Sequence, residues 1–545
     1  MSGPRRASFV SVLLLTLSFA AYGLWAIWRQ SFVAIDGERY FAFADDALIT
    51  LRYGWNLAHG HGLVWNPGER VEGITNLAWA LWAAVLSLVA DKRLLPPAML
   101  LSALVLLLVT AFAFRSLFRR AEDSDRHAAL EVIAFLLPLS YFPFVYWSLR
   151  GMETSLLGAL LTLGLSRFFA AGPRPSPSGA ALLGAACLTR PDALVPGAAV
   201  LGLRLLRCLA TPMAPARRAV EVSTFGAFLL AVSAFRFFYY GSFVPNTYHL
   251  KVTGLTVLER IQGNGLPYVR PFLESAALLG ALLVLSLVIR PTWEKWTLAS
   301  IPASMLLYTI YVGGDAFPQF RFLAPYVPFA FLALLLDGPR LGAALESYLA
   351  GAPAARVRRF AAAAAAAAVF FTLARTHPVA SFVYGLRHPQ PDDVANVNTA
   401  VYLSRILEPG ASVGVVYGGS IPFYTGLYAV DFLGRSDPRI AELPQDASGA
   451  VSWSGLRSVP GHSKYDLRYS ILEKKPTYVA GLKWGSQDLT AEGLELYRPV
   501  PVDFATWSDF DRHAVLLLEG SRDVRWELVD AGRNSAEFPV GRVEP

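Results

Sequence analysis

Apolar residues in this chain come in long blocks separated by short polar or arginine-bearing breaks. The first runs from Val10 to Trp28, and others fall near 77–90, 97–114, 129–147, 154–170, 180–206, 219–240, 272–289, 296–313, 322–336 and 360–376. About 20 such residues in a helix cross the ~30 Å hydrocarbon core of a bilayer. Most of the blocks are that long or nearly so and predict spanning helices. The block 180–206 is interrupted by Arg190-Pro191-Asp192, which predicts two short helices in a tight hairpin.

Arginine placement decides the count. If 77–90 spans, then Arg115, Arg119, Arg120, Arg204, Arg207, Arg217 and Arg218 all fall outside the cell, against the positive-inside tendency. If 77–90 lies along or dips into the outer leaflet, as its 14 residues suit, every cluster returns to the cytoplasm. The expectation is therefore eleven spanning helices and one interfacial helix, N-terminus inside and C-terminus outside. Asp45/Asp46, Glu72, Glu153, Asn246 to Lys251 and Asp315 to Arg321 then all face the outer side.

From about 379 the apolar density falls. Strand-like runs at Val413 to Tyr417, Tyr428 to Phe432 and Thr477 to Leu482, separated by turns such as Gly418-Gly419, predict a soluble outer α/β domain over 379–545. The GGS turn lacks the GxGxxG spacing of a dinucleotide site. Eight alanines from Ala361 read as the start of the last span, anchored inside by Arg356, Arg358 and Arg359.

Composition agrees with a polytopic membrane protein: 54% hydrophobic and 16% charged, against about 25% charged in soluble domains. The net charge of +7 is carried by arginines in short loops, which implies topology control rather than nucleic-acid binding. Cys187 and Cys208 are the only cysteines and suggest neither a disulfide framework nor a metal knuckle. The first block is longer than a signal-peptide core, so it is expected to remain as a helix with Arg5 and Arg6 inside.

The chemistry centres on Asp45 and Asp46, in a polar loop beside hydrocarbon where an unpartnered charge costs several kcal/mol. Adjacent carboxylates repel, which tends to raise one pKa toward the working pH and suits a general base. Either could also offer hard oxygen ligands to a divalent cation such as Mg, Mn or Ca, and N-capping of the following helix is the plain alternative. Arg52 and Tyr53 follow as substrate-contact candidates, with Tyr53, Trp65, Trp79 and Tyr248 available to stack on a sugar. Glu72 and Glu153 are further contact candidates, although Glu153 also suits the start of a span. Arg190 and Asp192 read first as a buried ion pair and second as a phosphate contact. In GSFVPNTYHLK, Lys251 is the stronger phosphate candidate, with His249, Asn246 and Tyr248 beside it. Asp315 and Arg321 flank a Gly/Pro turn, and Arg321 at a helix start could grip a phosphate.

Taken together, FADDALITLRYGWNLAHGHGLVWNPGERVEGITN, LRGMETS, LTRPDA, VPNTYHLK, GGDAFPQFRFLAP, SIPFYTGLYAVDFLGRSD and GHSKYD resemble bacterial GT-C membrane glycosyltransferases, above all the mycobacterial terminal arabinofuranosyltransferases. The resemblance implies an inverting transferase that takes a sugar from a polyprenyl-phosphate donor and gives it to a cell-envelope glycan or glycolipid. By it, Asp45 and Asp46 match the catalytic acidic motif, an interfacial helix follows the first outer loop, and the C-terminal domain serves acceptor binding. The sugar stays open, with arabinofuranose one candidate, and so does the oligomeric state. A transporter or flippase would place polar groups near the membrane midplane, often in inverted repeats. Neither feature is evident in the sequence, which favours an enzyme over a transporter. A non-catalytic binder of lipid-linked glycan is the remaining alternative.

Overall fold

The computed structural model describes residues 3–122, 128–209, 215–340, 381–382, 385–451, 456–506 and 513–532. The expected last span at 360–376, with its alanine run and flanking arginines, lies outside these residues. So does the 378/379 boundary.

Helix α1 (Gly3–Arg29) leads into a short antiparallel hairpin, β1 (Ser31–Val33) and β2 (Arg39–Phe41), and then into α2 (Asp45–Ala58). The next helix, α3 (Leu77–Leu86), has ten residues and rises about 15 Å, half of what a crossing needs. Both of its ends sit at the same end of the bundle. Asn76, before it, bonds Glu153, while Lys92 and Arg93, after it, reach Tyr424 and Glu38. Leu81, Trp82 and Val85 stay exposed along it, as an interfacial helix requires.

The bundle continues as α4 (Leu95–Glu122), α5 (Ala128–Ser140), α6 (Phe142–Leu149), α7 (Thr154–Ala171), α8 (Pro177–Thr189), α9 (Leu194–Leu209) and α10 (Pro215–Tyr240). Five helices among the described residues are long and apolar enough to cross a membrane, or six if the bent pair α5–α6 counts as one span. That pair bends by 52° where the sequence shows one block. Tyr141 adopts an extended conformation there, with Pro138 before it and Pro143 after it, so the i→i−4 ladder cannot continue. The α8–α9 hairpin breaks at Arg190-Pro191, as expected.

After the short α11 (Asn246–Val252), α12 (Val257–Arg260) passes through a π-turn at Ile261–Gly265 into α13 (Leu266–Ile289). This helix therefore starts 15 residues before the apolar block at 272, because its first turns pack under the C-terminal domain. Asn264, in the π-turn, accepts the Ser458 N–H and donates to its hydroxyl. Helix α14 (Trp293–Val312) is followed by turns, and α15 (Val327–Leu335) has only nine residues. Arg321 lies in the turns rather than at the helix start.

The C-terminal domain opens with α16 (Pro391–Ile406) and builds a five-stranded mixed sheet. Its strands are β3 (Ser412–Val415), β4 (Tyr428–Asp431), β5 (Tyr478–Val479), β8 (Tyr497–Pro501) and β9 (Ala514–Leu518), in the order β4-β3-β5-β9-β8. A two-strand flap, β6 (Lys483–Trp484) and β7 (Gln487–Asp488), stands apart. The first three strands are parallel, and α17 (Ser420–Thr425) crosses from β3 to β4. The antiparallel β8 and β9 went unread in the sequence.

The first loop and this domain form one body. Ile49, Tyr53, Trp65 and Ile74 share a core with Val401, Val413 and Ala429. Asn66 exchanges two hydrogen bonds with the Ala429 backbone, at 2.9 and 3.1 Å, and so pairs the exposed edge of β4. Phe43, Ala47, Leu48 and Leu51 of the same segment pack instead in the core of the membrane helices, so residues 30–76 bridge the two.

Candidate active site

The first turn of α2 with Asp45 and Asp46, the turns after α14 and the C-terminal edge of the parallel strands meet at one end of the bundle. A cavity of about 530 Å³ opens there, lined by Asp46 but not by Asp45. The first turn of α2 sends the two side chains apart. Asp45 accepts the backbone N–H groups of Gly419 and Ser420, both at 2.8 Å, and the Ser420 hydroxyl at 2.9 Å. Those donors form the N-terminal end of α17, so Asp45 caps a helix of the other domain, not its own. The approach is close enough that any Cβ at position 419 would collide with the Asp45 backbone.

Asp46 accepts from Arg321 Nη1 at 3.0 Å and lies 3.5 Å from Arg435 Nη2. Burial alone would raise its carboxyl, but the charges of Arg435, Arg321 and Lys251 outweigh burial and hold it below the usual carboxylate range. Burial pushes the Asp45 carboxyl up, against its hydrogen bonds and Arg435. Mutual repulsion, the expected cause, is not among the leading influences on either group.

Arg321 is fixed by Asp315, which takes two parallel bonds at 2.7 and 2.9 Å, and its guanidinium stacks 4.2 Å from the Phe317 ring. Gln319 and Phe320, just before it, sit at φ 60° and 45°, strained backbone for non-glycine residues. Lys251 Nζ is 3.8 Å from Asp315 Oδ1 and faces the cavity. Burial pulls its ammonium pKa down.

Other expected residues fall into two groups. Arg190 and Glu153 line the cavity, and Tyr248 lines it with its ring half exposed. Arg190 spends its fork on Asp192, at 2.9 and 2.6 Å, and its Nη1 lies 3.3 Å from Glu153, whose second oxygen accepts from Asn76. The ion-pair reading of Arg190 therefore accounts for most of its donors.

Arg52, Tyr53, Glu72, Asn246, His249 and Asp315 are not on the wall. Arg52 is buried and donates to the carbonyls of Trp65, Pro422 and Leu427, stapling the first loop to the C-terminal domain. Tyr53 bonds Val71 and Gly73. Glu72 is held by Arg236 at 2.9 Å, a partner 164 residues away. Asn246 donates to the Gly434 and Arg435 carbonyls, which positions Arg435. The carbonyl of His249 accepts from Lys464. Trp65 and Trp79 are buried with their indole N–H groups bonded to carbonyls, so of the expected sugar platforms Tyr248 alone faces the cavity.

Sequence reasoning missed Arg435, although it lies within the segment SIPFYTGLYAVDFLGRSD. Asp431, at the end of β4, ties down the loop that carries it by accepting from the N–H groups of Leu433 and Ser436. His462, of GHSKYD, receives Arg435 Nη2 on Nε2 at 3.2 Å, and its Nδ1 faces the Pro460 carbonyl. Burial and Arg435 push that imidazole down to about 3, so it stays neutral.

Among the described residues no three His, Cys, Asp or Glu side chains gather as metal ligands. The oxygens of Asp45 are taken by N–H and O–H donors, and Asp46 lies between two guanidiniums.

Apolar side chains complete the lining: Leu194 and Val195 of α9, Leu229 and Val232 of α10, Val312 of α14. Five cations line the cavity and carboxylates pair with them from the wall or from just behind it, so unsatisfied donors decide what it attracts.

Residues 387–529 match a family described as a domain of unknown function (DUF8728). The chain is 28% identical over 365 residues to a terminal β-(1→2)-arabinofuranosyltransferase of Corynebacterium glutamicum, covering 58% of this chain and 49% of that one. It is 30% identical over 250 residues to its namesake in Mycobacterium tuberculosis, covering 44% and 38%. The chain thus spans about half the length, or less, of these curated relatives. In fold it is similar to the oligosaccharyltransferase of Archaeoglobus fulgidus in the apo form, with TM-score 0.50, 12% identity and coverage of 77% and 64%. ArnT of Cupriavidus metallidurans bound to undecaprenyl phosphate gives TM-score 0.49 at 14% identity, covering 82% and 89%. By sequence the curated homologues of this chain are terminal arabinofuranosyltransferases, and by fold it is similar to the polytopic helical GT-C membrane glycosyltransferases.

Proposed function

We propose that the chain is an inverting glycosyltransferase that moves a sugar, arabinofuranose by the likeness to its curated relatives, from a polyprenyl-phosphate donor to a hydroxyl of a cell-envelope glycan or glycolipid. The observation that carries this is a single cavity whose lining holds both a carboxylate between two arginines and the apolar faces of several helices. The charged groups suit a sugar phosphate, and the apolar faces suit a lipid tail. A sugar phosphodiester carries one negative charge, which fits a wall whose cations are nearly all matched by carboxylates.

Asp46 takes the proton from the acceptor hydroxyl as that oxygen bonds to the anomeric carbon. The bond from that carbon to the phosphate oxygen breaks on the opposite face, and its electron pair leaves on the polyprenyl phosphate. The leaving group gains one negative charge, which Arg321 and Lys251 offset. A phosphate leaving group needs no general acid, so one carboxylate suffices. Asp45 holds the C-terminal domain in register with this centre.

The reaction is assigned to the extracytoplasmic face of a bacterial cytoplasmic membrane, with eleven crossings and a cytoplasmic N-terminus. In support, Arg115, Arg204, Arg207 and Arg290 all occupy the helix ends opposite the cavity, where they pair with Glu131, Glu221, Glu294 and Asp337.

The test is transfer itself. Purified full chain, given a synthetic polyprenyl-phosphate arabinofuranose and an arabinan oligosaccharide, should release one polyprenyl monophosphate for each new glycoside. Binding without release across a panel of envelope glycans would leave a lipid-glycan binder instead.

A pH profile follows from the geometry. Asp46 must be ionised to act, and its cationic neighbours hold its pKa below the usual value of about 3.9. Activity is therefore expected to persist as pH falls, with no acid limb in kcat/KM above about pH 4 from this group. A limb near pH 6 that disappears in Asp46→Asn would contradict the assignment.

A further inference from the structure

Arg435 reaches the cavity from the C-terminal domain, 390 residues after the acidic pair, and none of the assigned steps uses it. It is more than nine-tenths buried, and its two terminal nitrogens have different fates. Nη2 lies 3.2 Å from His462 Nε2 and 3.5 Å from Asp46 Oδ1. Nη1 is buried with no hydrogen-bond partner among the described residues. A buried guanidinium N–H without an acceptor costs about 1–3 kcal/mol or more, a cost that an acceptor entering the cavity beside Arg435 would remove. The surroundings make the arginine hard to turn away. Asn246 holds the Arg435 carbonyl, Asp431 pins its loop, and a neutral His462 backs Nη2. Lys251 and Arg321 are its cationic neighbours around Asp46.

We propose that Arg435 binds an anionic phosphate oxygen of the lipid-linked donor through Nη1 while Nη2 keeps its hold on Asp46. One planar fork then fixes the distance between the base and the leaving group. The C-terminal domain thereby supplies part of the reaction centre, and the membrane helices alone make an incomplete site. This rests on the donor and base assigned above and adds a residue to them.

The test uses purified full chain in nanodiscs, with undecaprenyl monophosphate as probe and undecaprenol, its uncharged alcohol, as the paired control. Arg435→Gln should weaken the phosphate about tenfold or more and leave the alcohol within about twofold. Arg439→Gln, an exposed arginine of the same domain, should change neither. If Arg435→Gln does not fold, Arg435→Lys is measured instead; it keeps the charge, loses the fork and should cost about three- to tenfold. Equal losses for phosphate and alcohol, or no loss for either, overturn the role of Arg435. Failure of the unsubstituted chain to prefer the phosphate over the alcohol overturns the donor assignment itself, a separate outcome.

Discussion

Asp46→Asn is expected to lower turnover by roughly 10²- to 10⁴-fold, the range for loss of a positioned general base. Donor binding should survive, because Arg321 remains fixed by Asp315 and Lys251 is untouched. KM for the donor is then nearly unchanged, or lower, since removing a carboxylate from between two arginines frees both for phosphate. Asp45→Asn should behave differently. Its amide can accept on only one side and turns an N–H on the donor of the other, Gly419 or Ser420, so the anchor of the C-terminal domain weakens, and stability should fall along with rate. Steady-state kinetics with thermal unfolding on both variants separates the roles. Equal losses of turnover at unchanged stability would mean that the two carboxylates act as a unit.

Arg190→Ala is the second large effect, expected in stability. Arg190 is buried and faces Asp192 through a two-point contact, with Glu153 3.3 Å away. Removing it leaves Asp192 in the hairpin and Glu153 at the start of α7 buried without their ion-pair partner, for which a cost of about 3–5 kcal/mol is typical. The cost is one of stranded charge, so it should be recoverable. Arg190→Met combined with Asp192→Asn and Glu153→Gln should regain most of the stability in detergent unfolding curves. If the triple variant is no more stable than Arg190→Ala, the loss comes from packing.

The sequence was most legible where the physics is local. Apolar blocks marked the helices, Arg190-Pro191 marked the hairpin, and the charge argument for 77–90 agrees with a helix whose two ends lie on one side. Pro138 and Pro143 carried the bend at Tyr141, but block length hid it. Partners far apart in the chain could not be read. Glu72 finds Arg236 across 164 residues and Arg150 finds Asp393 across 243, and only the folded chain reveals that these charges are matched.

The acidic pair shows the same limit. Adjacency predicted repulsion, whereas the first turn of a helix aims neighbouring side chains in different directions, one at the cavity and one at another domain. Arg435 had no local signal of its own. Its placement comes from a strand end, a tied loop and a neutral histidine that meet only in three dimensions.

The most direct test is an electron cryo-microscopy structure of the full chain in nanodiscs with undecaprenyl phosphate. The account predicts the phosphorus beside Asp46, with its oxygens within hydrogen-bond reach of Lys251, Arg321 and Arg435 and the tail against α9, α10 and α14. A headgroup resting away from Arg321, with the cavity still closed by the Asp46–Arg321 pair, would contradict it.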